Sequence, residues 1–234
     1  MMTLFLESVG LYAPGLEGWD QARPVIAGEQ VYQHQPLNKY KPQLLPANER
    51  RRATGLVRIA FGAGEDAIAG REQDARQLAA VFASSGGDYQ VVDQICRALT
   101  QPERAVSPTQ FHNSVHNAAA GYWSIATGSM APSVSLSAHD FSVAAGLLEA
   151  AMLVCVEHLP TMLVACDPLI TGPIAACRRV TEPFAGALWL APELSRHSSH
   201  KLELERCSDR RGETSAGSEA LEALRYANPA ARLI

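Results

Sequence analysis

The sequence predicts an α/β domain with a mainly parallel sheet, and three observations carry the prediction. Short apolar runs alternate with segments of helical period along all 234 residues, which is the signature of strands joined through helices. Three of the runs (LAAVFA at Leu78–Ala83, TMLVA at Thr161–Ala165 and AGALWL at Ala185–Leu190) are apolar without interruption, as strands covered on both faces are. The composition, 47% hydrophobic and 19% charged, suits a globular core. A chain of this length buries about 70–75% of its unfolded surface and needs no staples.

The elements follow in order. Thr3–Leu11 alternates apolar and polar residues and meets Ala13-Pro14-Gly15, so it reads as a strand entering a turn. Trp19–Ala27 has the length of a short helix stopped by Gly28. Tyr32–Pro46 carries three prolines and no period, which predicts a long loop. A helix is expected from Asn48, with Glu49–Arg52 at its exposed start and Leu56, Ile59, Ala60 and Ala67 on one face; Gly62 and Gly64 weaken it. Leu78–Ala83 is a buried strand running into Ser84-Ser85-Gly86-Gly87, and Tyr89–Leu99 returns to helical spacing. Pro108–Gly128 reads as a loop that becomes a helix. Ser133–Ala138 alternates like a strand, and Phe141–Val156 is the longest uninterrupted helical pattern. Strands are expected again at Thr161–Ala165 and Ala185–Leu190. Beyond Ser195 the chain is polar, with one further strand signal at Lys201–Glu205, so residues 195–234 read as a peripheral or flexible tail on a single domain.

Composition excludes several functions. The net charge is −4 and the isoelectric point near 6.0, which argues against nucleic acid or an anionic membrane as partner. The longest apolar stretch, Ala144–Val156, is interrupted by Glu149 and too short to cross a bilayer. The N-terminus has no basic segment followed by a long apolar run, so no secretion signal is read. Five cysteines (Cys96, Cys155, Cys166, Cys177, Cys207) form no CxxC pair. Reduced thiols in a cytoplasmic protein are expected.

Two segments narrow the fold. Ser107–Gly121 (SPTQFHNSVHNAAAG) followed by Ala131–Asp140 (APSVSLSAHD) resembles the N-terminal half of the β-ketoacyl synthases, members of the thiolase-like superfamily. Asn117 matches the Asn that ends the family's Pro-containing segment. Ala131-Pro132 stands for the Gly-Pro before the nucleophile's strand. Met162–Ala165 and Gly186–Leu190 resemble the two strands that follow. The likeness runs from Met1 to about Glu193. The short chain, Leu45–Arg51 and FHNSVHNAAAG are similar to the small ketosynthase-like proteins of aryl-polyene clusters, which are chain-length-factor-like partners. The resemblance implies half of a thiolase-like fold: a roughly five-stranded mixed sheet flanked by helices in three layers.

It also implies that the family's chemistry is missing. Ketosynthases load an acyl group onto a Cys thiolate at a helix N-terminus. Counting from Pro132, that position falls on Asp140. A carboxylate attacking a thioester would give a short-lived anhydride, so Asp140 is expected to cap the following helix, worth about 1 kcal/mol. The family's two catalytic histidines lie in a C-terminal half with no counterpart here, and His34, His158, His197 and His200 stand in no glycine-rich His motif. The resemblance therefore implies a non-catalytic subunit that pairs with a full-length catalytic ketosynthase and meets acyl carrier protein only through that complex. The paired strand would be Ser133, Val134, Ser135, Leu136, Ser137 and Ala138. An alternating free edge of this kind is an aggregation hazard unless covered. The partner's acyl tunnel would be closed by the segment before Asn117, with Phe111, His112, Val115 and His116 as gate candidates. No cofactor is implied.

Other constellations remain weaker. His112 and His116, four apart, would share a helical face as metal ligands do, but no third ligand stands nearby, and no metal is expected. His197-x-x-His200 lies in a Ser-rich stretch and reads as a solvated loop, as does the Arg50-Arg51-Arg52 helix end, whose sharper alternative is contact with a carrier or partner protein. A rival reading is a small acyltransferase or thioesterase using His139-Asp140 or Cys166; another is a homodimeric module that binds acyl carriers.

Overall fold

β1 (Met2–Ala13) is the longest strand among the described residues, and much of the architecture follows from what pairs with it. A computed structural model describes residues 1–205 and 215–234. After β1 come β2 (Leu16–Glu17), α1 (Trp19–Ile26), α2 (Ala47–Arg52), α3 (Gly55–Ala67), β3 (Ala79–Ala83), α4 (Tyr89–Leu99), α5 (Pro108–Asn113), α6 (Ala118–Thr127), β4 (Ser133–Leu136), α7 (Ser142–Cys155), β5 (Thr161–Asp167), β6 (Phe184–Ala191), β7 (His200–Leu204) and α8 (Glu219–Ala227). Short 3₁₀ turns occupy Asp74–Gln77, His139–Phe141, Pro173–Ala176 and Pro229–Leu233.

Among the described residues the sheet has seven strands in the order β2-β1-β6-β5-β3-β4, with β7 also on β1. Two of these, β2 and β7, are additional to the five of the expected core; β7 answers the signal at Lys201–Glu205. Only the β3–β4 and β3–β5 pairs are parallel, whereas β1–β2, β1–β6, β1–β7 and β5–β6 are antiparallel. The sheet is therefore mixed, as the family resemblance implies, and not mainly parallel as the alternation of strand and helix signals predicts. Continuous apolar runs report that both faces are covered, not which way a neighbour runs.

Helices cover both faces, giving the three layers. On one face α3 and α6 pack Phe61 and Trp123 against Phe82 and Trp189 of the sheet. The Phe61 and Trp123 rings meet edge to face at 5.3 Å. On the other face α7 lies over β3 and β5. A Cβ at Gly146 would stand 2.8 Å from Ala83 Cβ and 3.0 Å from Leu163 Cδ1, so glycine is what allows that approach. Likewise a Cβ at Gly10 would collide with the Ala63 carbonyl of α3 at 1.9 Å.

Three expectations about elements need correcting. The helix expected from Asn48 is two helices: Ala53 is extended, and the Thr54 hydroxyl accepts from Val57 N–H at 3.4 Å, restarting the chain as α3. The strand expected to reach Ala138 stops at Leu136, because Ala138 and His139 turn out of the sheet and His139 takes a left-handed φ of 55°. The described part of the tail is not peripheral. Leu221, Leu224, Ala230 and Ala231 are buried with Leu11, Phe184 and Val143, and β7 extends the sheet along Met2–Leu6. Cys207 lies outside the described residues.

Candidate functional site

The C-terminal ends of β3, β4 and β5 bring one polar cluster together. β3 leads into Ser84-Ser85, β4 leads into Ser137–Asp140, and β5 ends at Cys166-Asp167. Asp167, 2% exposed, anchors the cluster: its Oδ1 accepts from Ser84 Oγ at 2.9 Å and Ser85 N–H at 2.7 Å. Ser84 Oγ in turn accepts from Gly87 N–H, and Ser137 Oγ donates to the Ser85 carbonyl at 3.0 Å. Burial pushes the Asp167 carboxyl above the ordinary carboxylate range, against the hydrogen bonds from Ser84 and Ser85 and the charge of Arg178.

Asp140 stands in the turn between β4 and α7. It does not cap α7, which has Phe141 at its N-cap position and no side-chain cap. The turn is held instead by Ser142, whose Oγ accepts from Ala138 N–H at 3.0 Å and donates to the His139 carbonyl at 2.7 Å. With Ser142 holding the backbone, the Asp140 carboxylate points elsewhere: Oδ1 receives Arg178 Nη1 at 2.5 Å. Burial alone would raise the Asp140 carboxyl; the hydrogen bond and charge of Arg178, with His139 and Arg232 nearby, outweigh it and hold the group below its usual range. His139 Nδ1 is 3.5 Å from Asp140 Oδ1, and its side chain is largely exposed.

Cys166 is 1% exposed. Burial, with Asp167 next to it, pushes its thiol well above the ordinary range, so it is held as a neutral packing group. Of the groups in the rival hydrolase reading, Asp140 is held by Arg178, Cys166 is buried, and His139 is exposed.

The gate candidates lie on and just after α5. α5 is tied to the end of α2 by Asn113, whose Nδ2 donates to the Arg52 and Thr109 carbonyls at 3.1 and 3.0 Å. Beyond that anchor Phe111 is 66% exposed and Val115 51%. His112 is exposed and lies edge to face against Tyr122 at 6.1 Å, and His116 reaches Gly87. α5 ends at Asn113, so His112 and His116 do not share a helical face. Among the described residues no three His, Cys, Asp or Glu side chains are grouped to hold a metal. Of Arg50–Arg52, Arg50 is spent on the Gln43 and Leu45 carbonyls, Arg51 on Asn48, and Arg52 lies 3.6 Å from Glu49.

Among the described residues β4 is an edge of the sheet, paired only with β3. Exposed apolar side chains flank it in sequence on both sides: Ile125 and Met130 before it, and Phe141, Leu148, Met152 and Val156 along α7 after it. Local patterning could not reveal Arg178, which lies 38 residues from Asp140 in a polar connection containing Gly172 and Pro173.

A thiolase-like α/β layer, with this strand–turn–helix at the edge of its sheet, defines the class. Residues 19–230 match the β-ketoacyl synthase N-terminal domain, and the chain belongs to that family. It is similar in structure to a chain of the complex between the ketosynthase ApeO and its chain length factor ApeC from Xenorhabdus doucetiae, with a TM-score of 0.69 and 28% identity over 82% of this chain and 80% of that one. The ishigamide ketosynthase/chain length factor (TM-score 0.59, 14% identity, 82% and 62% covered) and a β-ketoacyl synthase from Burkholderia phymatum (0.63, 14%, 82% and 59%) share the fold. No curated protein sequence matches the chain. No helix among the described residues is long and apolar enough to cross a membrane.

Proposed function

We propose that this chain is a chain-length-factor-like subunit that pairs with a full-length ketosynthase, carries no acyl chemistry of its own, and shapes the partner's acyl tunnel. The observation that carries the reading is the open β4 edge with apolar residues exposed on the elements before and after it. An edge of unpaired backbone groups beside apolar surface is a liability in a monomer and an asset in an obligate pair. The Arg178-bound Asp140 at the family's nucleophile position supports the absence of acyl loading. The likeness at 28% identity to a chain from a ketosynthase and chain length factor complex supports the kind of partner.

On this reading Phe111, His112, Val115 and His116 face the partner's tunnel and limit how far a polyene grows, acyl carrier protein is met through the complex, and aryl-polyene biosynthesis is the pathway. The test is co-expression with a full-length ketosynthase from the same genome. Light scattering should give a 1:1 complex, and the chain alone should self-associate. A monodisperse, well-folded monomer that hydrolyses acyl thioesters would overturn the proposal.

A further inference from the structure

The Asp140 pair is incomplete on the arginine side. Arg178 uses Nη1 for Asp140 Oδ1, while its Nε and Nη2 are buried with no hydrogen-bond partner among the described residues. Guanidinium donors that have lost water are retained where negative charge compensates them. The charges around the turn come from separate elements. Arg178 arrives from the β5–β6 connection, Arg232 from the C-terminal 3₁₀ turn and His139 from the β4–α7 turn, all three favouring a negative charge at position 140. Asp167 is the other acid whose charge is eased by Arg178. In a chain of net charge −4, this positive concentration is local.

We infer that position 140 is an anion-stabilising cradle organised by Arg178, and that the Asp140 carboxylate is its built-in occupant. The cradle suits a small carboxylate or a thiolate: Arg178 has one nitrogen engaged at position 140 and two further nitrogens without a partner among the described residues. No bond is made or broken; the occupant is tethered to the chain, so a free anion finds the place taken. This inference rests on the reading that position 140 stands where catalytic relatives carry their nucleophile.

The test replaces the occupant in the full chain, in complex with its ketosynthase where that aids solubility. In Asp140→Cys, iodoacetamide alkylation followed by peptide mass spectrometry separates the introduced thiol from exposed Cys96 and Cys177. Its half-maximal rate is expected at least about one pH unit below the ordinary cysteine value near 8.5. Adding Arg178→Ala should return it toward that value. In Asp140→Ala, sodium acetate at equal ionic strength to a chloride control should raise the melting midpoint, with no such rise in the wild type or in Asp140→Ala/Arg178→Ala. An ordinary or raised thiol profile that is indifferent to Arg178 would overturn the inference, and so would an acetate response absent from Asp140→Ala or equal in the wild type. Should Asp140→Cys fail to fold, the acetate series decides alone. A failed cradle leaves 1:1 pairing intact, and failed pairing leaves the alkylation profile intact, so the two failures are distinguishable.

Discussion

Asn228 Nδ2 donates both to the Asp167 carbonyl at 2.9 Å and to the Glu182 carbonyl at 2.7 Å, while its Oδ1 accepts from Ala230 N–H at 2.8 Å. One fully buried side chain therefore ties the C-terminal turn to the end of β5 and to the chain entering β6. Asn228→Ala leaves buried backbone groups without partners and should destabilise by about 2–3 kcal/mol. Urea unfolding of the wild type and variant measures this. A change below about 0.5 kcal/mol, the range of an ordinary surface substitution, would show that the tail is not part of the fold.

Asp167 and Asp140 should move stability with pH in opposite senses. The Asp167 carboxyl is raised in the fold, so the folded state holds its proton more tightly, and stability from this group falls as pH climbs through the raised value. Asp167→Asn keeps an oxygen to accept from Ser84 and Ser85, and should be neutral or stabilising at pH 7. The Asp140 carboxyl is lowered, so its contribution is present above the unfolded value near about 4 and is lost as pH falls through the folded one. Asp140→Asn should flatten that acid-side loss. Thermal melts between pH 3 and pH 8 check both signs.

Turnover is the second readout of Asp140→Asn. In the reconstituted complex, activity should stay close to the wild-type level, because the side chain pairs with Arg178 rather than with substrate. A fall of about a hundredfold, the scale on which a lost acid or base is felt, with folding intact, would place Asp140 in the chemistry.

Phe111 is too exposed in this chain to support its core. Phe111→Ala should therefore change the stability of the chain by less than about 0.5 kcal/mol, in contrast to the 3–5 kcal/mol typical of an emptied core site. In the complex it should lengthen the polyenes without reducing initiation. Extending past an aromatic ring costs about 1–3 kcal/mol in overpacking, and about 1.4 kcal/mol is a tenfold shift. Product chromatography decides; a uniform loss of all products would reject the gate.

How much of this was legible in the sequence depends on the range of the interaction that decides each element. Tyr89–Leu99 emerges with the bounds its spacing predicts, because Asp88 caps it from one residue away, accepting from Val91 N–H. The five core strands follow from local patterns, three from continuous apolar runs and two from alternation. Strand direction did not, since β1 and β6 find each other across more than 170 residues. Residues 215–234 look polar because their core contributions, Leu221, Leu224, Ala230 and Ala231, are spread among charged neighbours. At the candidate site, counting from Pro132 put Asp140 in the turn before α7, but its role was misread. Ser142, two residues on, took over the turn, and the partner of the carboxylate came from a distant connection.

The account's central claim is that this chain pairs with a ketosynthase without carrying acyl chemistry. The most direct measurement is denaturing intact-mass spectrometry of the co-purified complex after incubation with an acyl carrier protein thioester. Two chains should appear in equal amounts, with the acyl mass on the ketosynthase and this chain at its unmodified mass. Acyl mass on this chain, removed by Asp140→Asn or by replacement of Cys166, would contradict the claim.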